Sequence, residues 1–112
     1  MENIIEFSEW QKLELVVAEI KKVEDIEGAD KLYKLILDVG KFGEKIVCAG
    51  LKEYYSKKEL LGKKIIYFLN LKPRLMKGIE SSGMILAAVS DDHKKVSLIS
   101  PDKSMENGSR VS

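Results

Sequence analysis

Residues 56–71 read SKKELLGKKIIYFLNL, and two periodicities meet inside that short span. Ser56 and Glu59 stand three apart, the spacing at which a hydroxyl and a carboxylate each bond the other's backbone N–H at a helix start. Leu60 and Leu61 follow, and Gly62 is placed to end the helix after about one turn. From Lys63 onward the pattern changes to nearly continuous apolar sequence, the mark of a strand covered on both faces. A short helix is therefore inserted into a chain whose other segments read as strands, and its place in their order decides the fold.

Upstream, SEWQ at residues 8–11 fits a second capping box, with Ser8 as cap and Gln11 reaching back, and predicts a helical turn ahead of the first strand. Leu13, Leu15 and Val17 then alternate with Glu14, Val16 and Ala18. The apolar parity slips before Ile20 and Val23, which predicts a bulge near Ala18 and Glu19 that bends a long strand around a barrel corner. After the turn EDIEGADK, a second strand places Tyr33, Leu35, Leu37 and Val39 on one face, and VGKFGEK turns into a third strand, KIVCAG. Downstream of the helix, KKIIYFLNL, GMILAAVS and KKVSLIS read as the fourth, fifth and sixth strands. Three strands, a short helix and two more strands is the order of the OB-fold, a five-stranded Greek-key barrel. Its ligands lie on the face of strands 2 and 3, between the loops joining strands 1 and 2 and strands 4 and 5. The expected class is all-β, with the helix between strands 3 and 4 and with N- and C-terminal extensions. A chain of 112 residues, 45% apolar, fits one such domain over residues 1–112.

Net charge is +1, but its distribution is uneven. Residues 1–30 hold nine acids and three bases, whereas residues 31–80 hold twelve bases and five acids. The basic middle can form one positive face, with the acidic beginning on the opposite side, if its side chains converge in space. The N-terminal MENIIEFSEW lacks the basic start and long apolar run of a secretory signal, and no later run approaches membrane-spanning length, so a cytoplasmic protein with no membrane association is expected. The lone cysteine, Cys48, sits among apolar neighbours and reads as a buried filler.

Between the fourth and fifth strands lies NLKPRLMKGIESSG, which holds three cations, a proline, two glycines and two serines. Lys72, Arg74 and Lys77 suit backbone phosphates, arginine with a bidentate grip. Ser81, Ser82 and the Asn70 amide suit phosphate or ribose, including the 2′-hydroxyl that marks RNA. Met84 offers a polarizable surface at the strand entrance, and the loop between strands 1 and 2 delivers Lys31 to the neighbouring rim. Each has a structural alternative: solvated lysines, serines that satisfy turn backbone, a methionine in the core. Tyr33 and Tyr67 fall on core-facing positions, so the chain is short of exposed rings, which fits folded RNA better than a loose strand.

Catalysis finds little footing. His93, the only histidine, lies in a polar turn, SDDHKK, and with one cysteine the chain lacks a zinc-ligand cluster. No glycine-rich phosphate loop ending in a lysine and a hydroxyl occurs. No catalytic residue, metal or cofactor is expected.

The segments KLELVVAEI, ADKLYKLILDVG, IVCAGLKEYYSKKELLGKKI, NLKPRLMKGIESSGMILAA and the terminal ISPDKSMENGSRVS together resemble the tRNA-binding domain appended to methionyl-tRNA synthetases. That domain also occurs in free-standing tRNA-binding proteins and in endothelial monocyte-activating polypeptide. The most specific parts are ADKL and the combination of Asn70, Pro73, Gly78, Ser81, Gly83 and Met84. The chain departs from the pattern at Val16, where an arginine often stands, and at Leu75, where a lysine is common. The resemblance implies tRNA binding by shape, a homodimer using the tail at about residues 94–112, and no chemistry of its own. With its initial methionine and no synthetase core, the chain reads as a free factor or as a β subunit that aids methionyl-tRNA synthetase. The main alternative is a CsaA-like export chaperone binding unfolded polypeptide; a third is a module that docks to other synthetases and binds RNA only incidentally.

Overall fold

The inserted helix forms where the sequence puts it, but the first one is capped differently. The computed structural model describes residues 3–112; Met1 and Glu2, which the single-domain reading includes, lie outside them. In α1 (Phe7–Trp10) the capping pair is Glu6 and Glu9, with the Glu6 N–H donating to Glu9 Oε1 at 3.2 Å, so Ser8 lies within the helix rather than at its cap. A carboxylate one turn in does the work expected of Gln11, and its charge also suits the helix N-terminus.

The first three strands are β1 (Leu15–Asp25), β2 (Tyr33–Asp38) and β3 (Glu44–Ala49), followed by α2 (Lys57–Leu60) and β4 (Lys64–Phe68). At α2, Ser56 Oγ accepts from the Glu59 N–H at 3.2 Å while the Ser56 N–H donates to Glu59 Oε1 at 2.8 Å. Next come a hairpin of β5 (Arg74–Met76) and β6 (Ile79–Ser81), then β7 (Met84–Ile85), β8 (Ala87–Val89), β9 (Val96–Leu98) and β10 (Arg110–Val111). The main sheet runs β3-β2-β1-β4-β7, all antiparallel, and β10 lies on β1 beside Leu15 and Val16. The sheet curls into a nearly closed barrel of the OB type. The expected fifth strand divides at Leu86, whose N–H donates to the Ile66 carbonyl while its own carbonyl accepts from Ile99. Beyond that point β8 pairs with β9 instead.

Inside the barrel, Tyr33, Leu35, Leu37 and Val39 line up as the alternation requires and meet Val16, Ala18, Ile20, Ile65 and Tyr67. Burying each large aliphatic side chain contributes about 1.5–3 kcal/mol. The first half of β1 is apolar on both faces, which corrects the strand's parity: the even positions line the barrel, whereas Leu15 and Val17 join Ile66 in a second cluster outside it. Trp10, Leu13, Phe68, Leu86 and Val111 pack on that outer cluster. The bulge falls between Ile20 and Lys22, just beyond the expected place, where β1 leaves β4 and continues along β2 alone.

Candidate nucleic-acid interface

The turn after β1 contains two apolar residues, Ile26 and Ala29, that a solvated loop would not need. Both are buried. They pack on Cys48 of β3, and Leu32, Met76 and Ile79 close the cluster. Since Met76 and Ile79 belong to β5 and β6, this small core draws the loop between β1 and β2 and the hairpin between β4 and β7 onto one rim. Burial pushes the Cys48 thiol above its ordinary pKa, as suits a filler.

The expected loop between the fourth and fifth strands is thus an ordered hairpin. Lys77 (φ 51°) and Gly78 (φ 80°) form its two-residue turn, both in the left-handed region that suits a tight hairpin. Three bonds fasten it. The Cys48 N–H donates to Ser81 Oγ at 2.9 Å, the Ser82 N–H donates to the Ile46 carbonyl at 2.8 Å, and the Tyr67 hydroxyl donates to the Ser82 carbonyl.

These anchors correct two expected contact groups. Ser81 is buried, 4% exposed, and its hydroxyl belongs to β3. The Asn70 amide accepts from the Glu14 N–H at 2.8 Å and donates to the Lys12 carbonyl at 2.7 Å, so it clips the entry to β1 rather than offering a free group. Ser82 is half-buried.

The cations fall into three places. Lys31 and Lys77, distant in sequence, line one recess of about 290 Å³ with Gly28, Ala29, Asp30 and Leu32. Arg74 and Met84 line a second groove, of about 370 Å³, beside the end of β3. Lys72 is exposed in the segment leading into β5. Among the described residues, Lys72, Arg74 and Lys77 form no ion pair, and Lys31 meets only Glu53 at 4.0 Å. The acidic beginning of the chain does not simply occupy an opposite side. Asp25 holds Lys57 at 2.7 Å and Lys52 at 3.0 Å, and Glu24 holds Lys34 at 3.6 Å. Hydrogen bonds from Lys57 and then Lys52 pull the Asp25 carboxyl below its ordinary pKa. Several cations of the basic middle are therefore neutralised within the molecule, while those of the hairpin stay free. The Asp25 clamp has no signal in sequence; Ile26 and Ala29 do, as apolar residues in a turn.

A barrel of the OB type carrying a cationic hairpin locked against its first loop places the chain among the folds that bind oligonucleotides or oligosaccharides between those loops. Residues 15–110 match the family described as "Putative tRNA binding domain", and the chain belongs to that family. It is 47% identical over 110 residues to the methionine–tRNA ligase of Caldanaerobacter subterraneus subsp. tengcongensis, covering 98% of this chain and 17% of the ligase. The chain therefore spans a small part of that relative's length. Among solved structures, a MetRS-related protein from Pyrococcus horikoshii superposes with a TM-score of 0.90 at 37% identity, covering 97% of this chain and 98% of that one. The CsaA chaperone protein of Picrophilus torridus superposes at 0.87 with 32% identity, covering 97% and 100%.

Proposed function

We propose that this chain binds tRNA by shape and phosphate, with little dependence on sequence, and has no catalytic role of its own. The carrying observation is that the Ile26–Ala29–Cys48–Met76–Ile79 cluster sets Lys31 and Lys77 on one recess, so that cations from two loops act together. In this reading Lys31, Lys72, Arg74 and Lys77 take phosphates, Ser82 and Met84 border them, and Asn70 and Ser81 hold the framework. The protein acts in the cytoplasm as a free-standing factor or β subunit that raises tRNA capture by methionyl-tRNA synthetase; likeness to the MetRS-related chain supports a factor of this size. No helix among the described residues is long and apolar enough to cross a membrane.

The working unit is a homodimer. The outer cluster of Leu15, Val17 and Ile66 leaves Phe68 and Leu86 only partly covered, and Ile99 beside them is 41% exposed. The tail frames this face, because β10 pairs with β1 and Arg110 donates to the Leu13 carbonyl at 3.0 Å.

The second reading, binding of unfolded polypeptide, is favoured by likeness to a CsaA chaperone. Retention assays separate the two: the protein is mixed with intact tRNA, unfolded tRNA, duplex DNA and an unfolded precursor polypeptide. Preference for intact tRNA supports the proposal. Selective retention of the polypeptide overturns it.

A further inference from the structure

The groove beside the end of β3 differs from the cationic recess next to it. Its lining is largely apolar, with Met76, Met84 and Val89 among it, and also includes Arg74, Tyr54 and His93. The lining contains no acid, whereas the Lys31–Lys77 recess includes Asp30. Part of that lining is fixed, because the Tyr54 hydroxyl donates to the His93 carbonyl at 2.9 Å. Met84 and Val89 are 43% and 49% exposed, so the apolar surface is open to a ligand. Arg74, free of any ion pair among the described residues, lies at 3.8 Å from Met76 Sδ, which puts a cation directly beside a polarizable surface.

An apolar slot with a free guanidinium in its lining and no carboxylate matches a flat ring joined to an anion. We infer that this groove seats one unstacked nucleobase of the bound RNA, held between the thioethers and Tyr54, with its own phosphate on Arg74. The inference rests on the tRNA reading and adds a base contact to it. A purely phosphate-reading surface would treat any RNA helix alike. A seated base favours RNA with unpaired nucleotides.

The test compares the wild-type protein with Val89→Gln and Val89→Trp, one making the groove's apolar lining polar and one filling it. Binding to a tRNA transcript and to a blunt RNA duplex is measured at the same salt, and thermal unfolding confirms that each variant is folded. Both changes are expected to weaken tRNA binding about tenfold, the scale of one lost stacking contact, and to leave duplex binding within about twofold. Equal losses on both RNAs, or none on tRNA, overturn the base contact while leaving the tRNA reading intact. Loss of unfolded-polypeptide retention with tRNA binding unchanged assigns the groove to polypeptide and likewise overturns it. Failure of the wild-type protein to bind tRNA at all removes the functional reading itself.

Discussion

At Ser81 a side-chain oxygen takes the Cys48 N–H, a bond that a neighbouring strand's carbonyl would ordinarily accept, in a buried setting. Ser81→Ala leaves that donor unpaired, and an unsatisfied buried group costs about 1–3 kcal/mol. Urea unfolding is expected to show a lower midpoint of that order; an unchanged midpoint contradicts the role. Tyr67 offers a second residue-level check. Burial pushes its phenol up to about 12, while the unfolded chain titrates near the ordinary value of about 10. The folded state thus favours the neutral phenol, so this contribution is complete below about pH 10 and is lost as pH rises through the folded value. Wild-type stability should therefore fall more steeply than that of Tyr67→Phe between about pH 9 and about pH 11.5 in thermal melts, and parallel losses would contradict it.

The hairpin of β5 and β6 is the element on which the proposed interface turns. Arg74 and Lys77 are exposed and form no ion pair among the described residues, so those cations can be altered without disturbing the fold. Arg74→Ala with Lys77→Ala is expected to weaken binding to many tRNAs alike and to make the salt slope shallower by about two, since each phosphate contact contributes about 0.9. Unchanged affinity in a filter-binding assay would move the interface elsewhere. How far this element is legible in sequence follows from its physics. The cations are local and can be read directly, whereas the hairpin that carries them reads only as a loop. The anchoring role of Ser81 depends on β3, thirty-three positions away, and no local pattern reports it. The same limit hides the role of Gly40, which reads as a turn residue. Its missing Cβ is what admits the Asn107 carbonyl, and its φ of 61° also suits glycine. Strand β2, half-buried, shows its alternation plainly; β1, apolar on both faces, does not, which is why its inward face emerges only from the pairing, whereas the slip in parity announces its bulge to within a few residues.

For the molecule as a whole, order of elements was the readable feature, since a short helix between the third and fourth strands leaves few ways to close the barrel. Charge balance was not readable, because ion pairs such as Asp25 with Lys52 and Lys57 join parts of the chain that composition treats separately. The outer apolar face gives the proposed dimer a direct check. Ile99→Glu places a charge on that face and should shift sedimentation from dimer to monomer, with the barrel still folded; a monomeric wild type would contradict the assembly. The most direct test of the central claim is the salt dependence of tRNA binding by the unaltered protein. If three to six phosphates meet the rim formed by Lys31 and the hairpin, log affinity falls against log salt with a slope of roughly −2 to −5. A flat response would contradict a cationic cradle for tRNA.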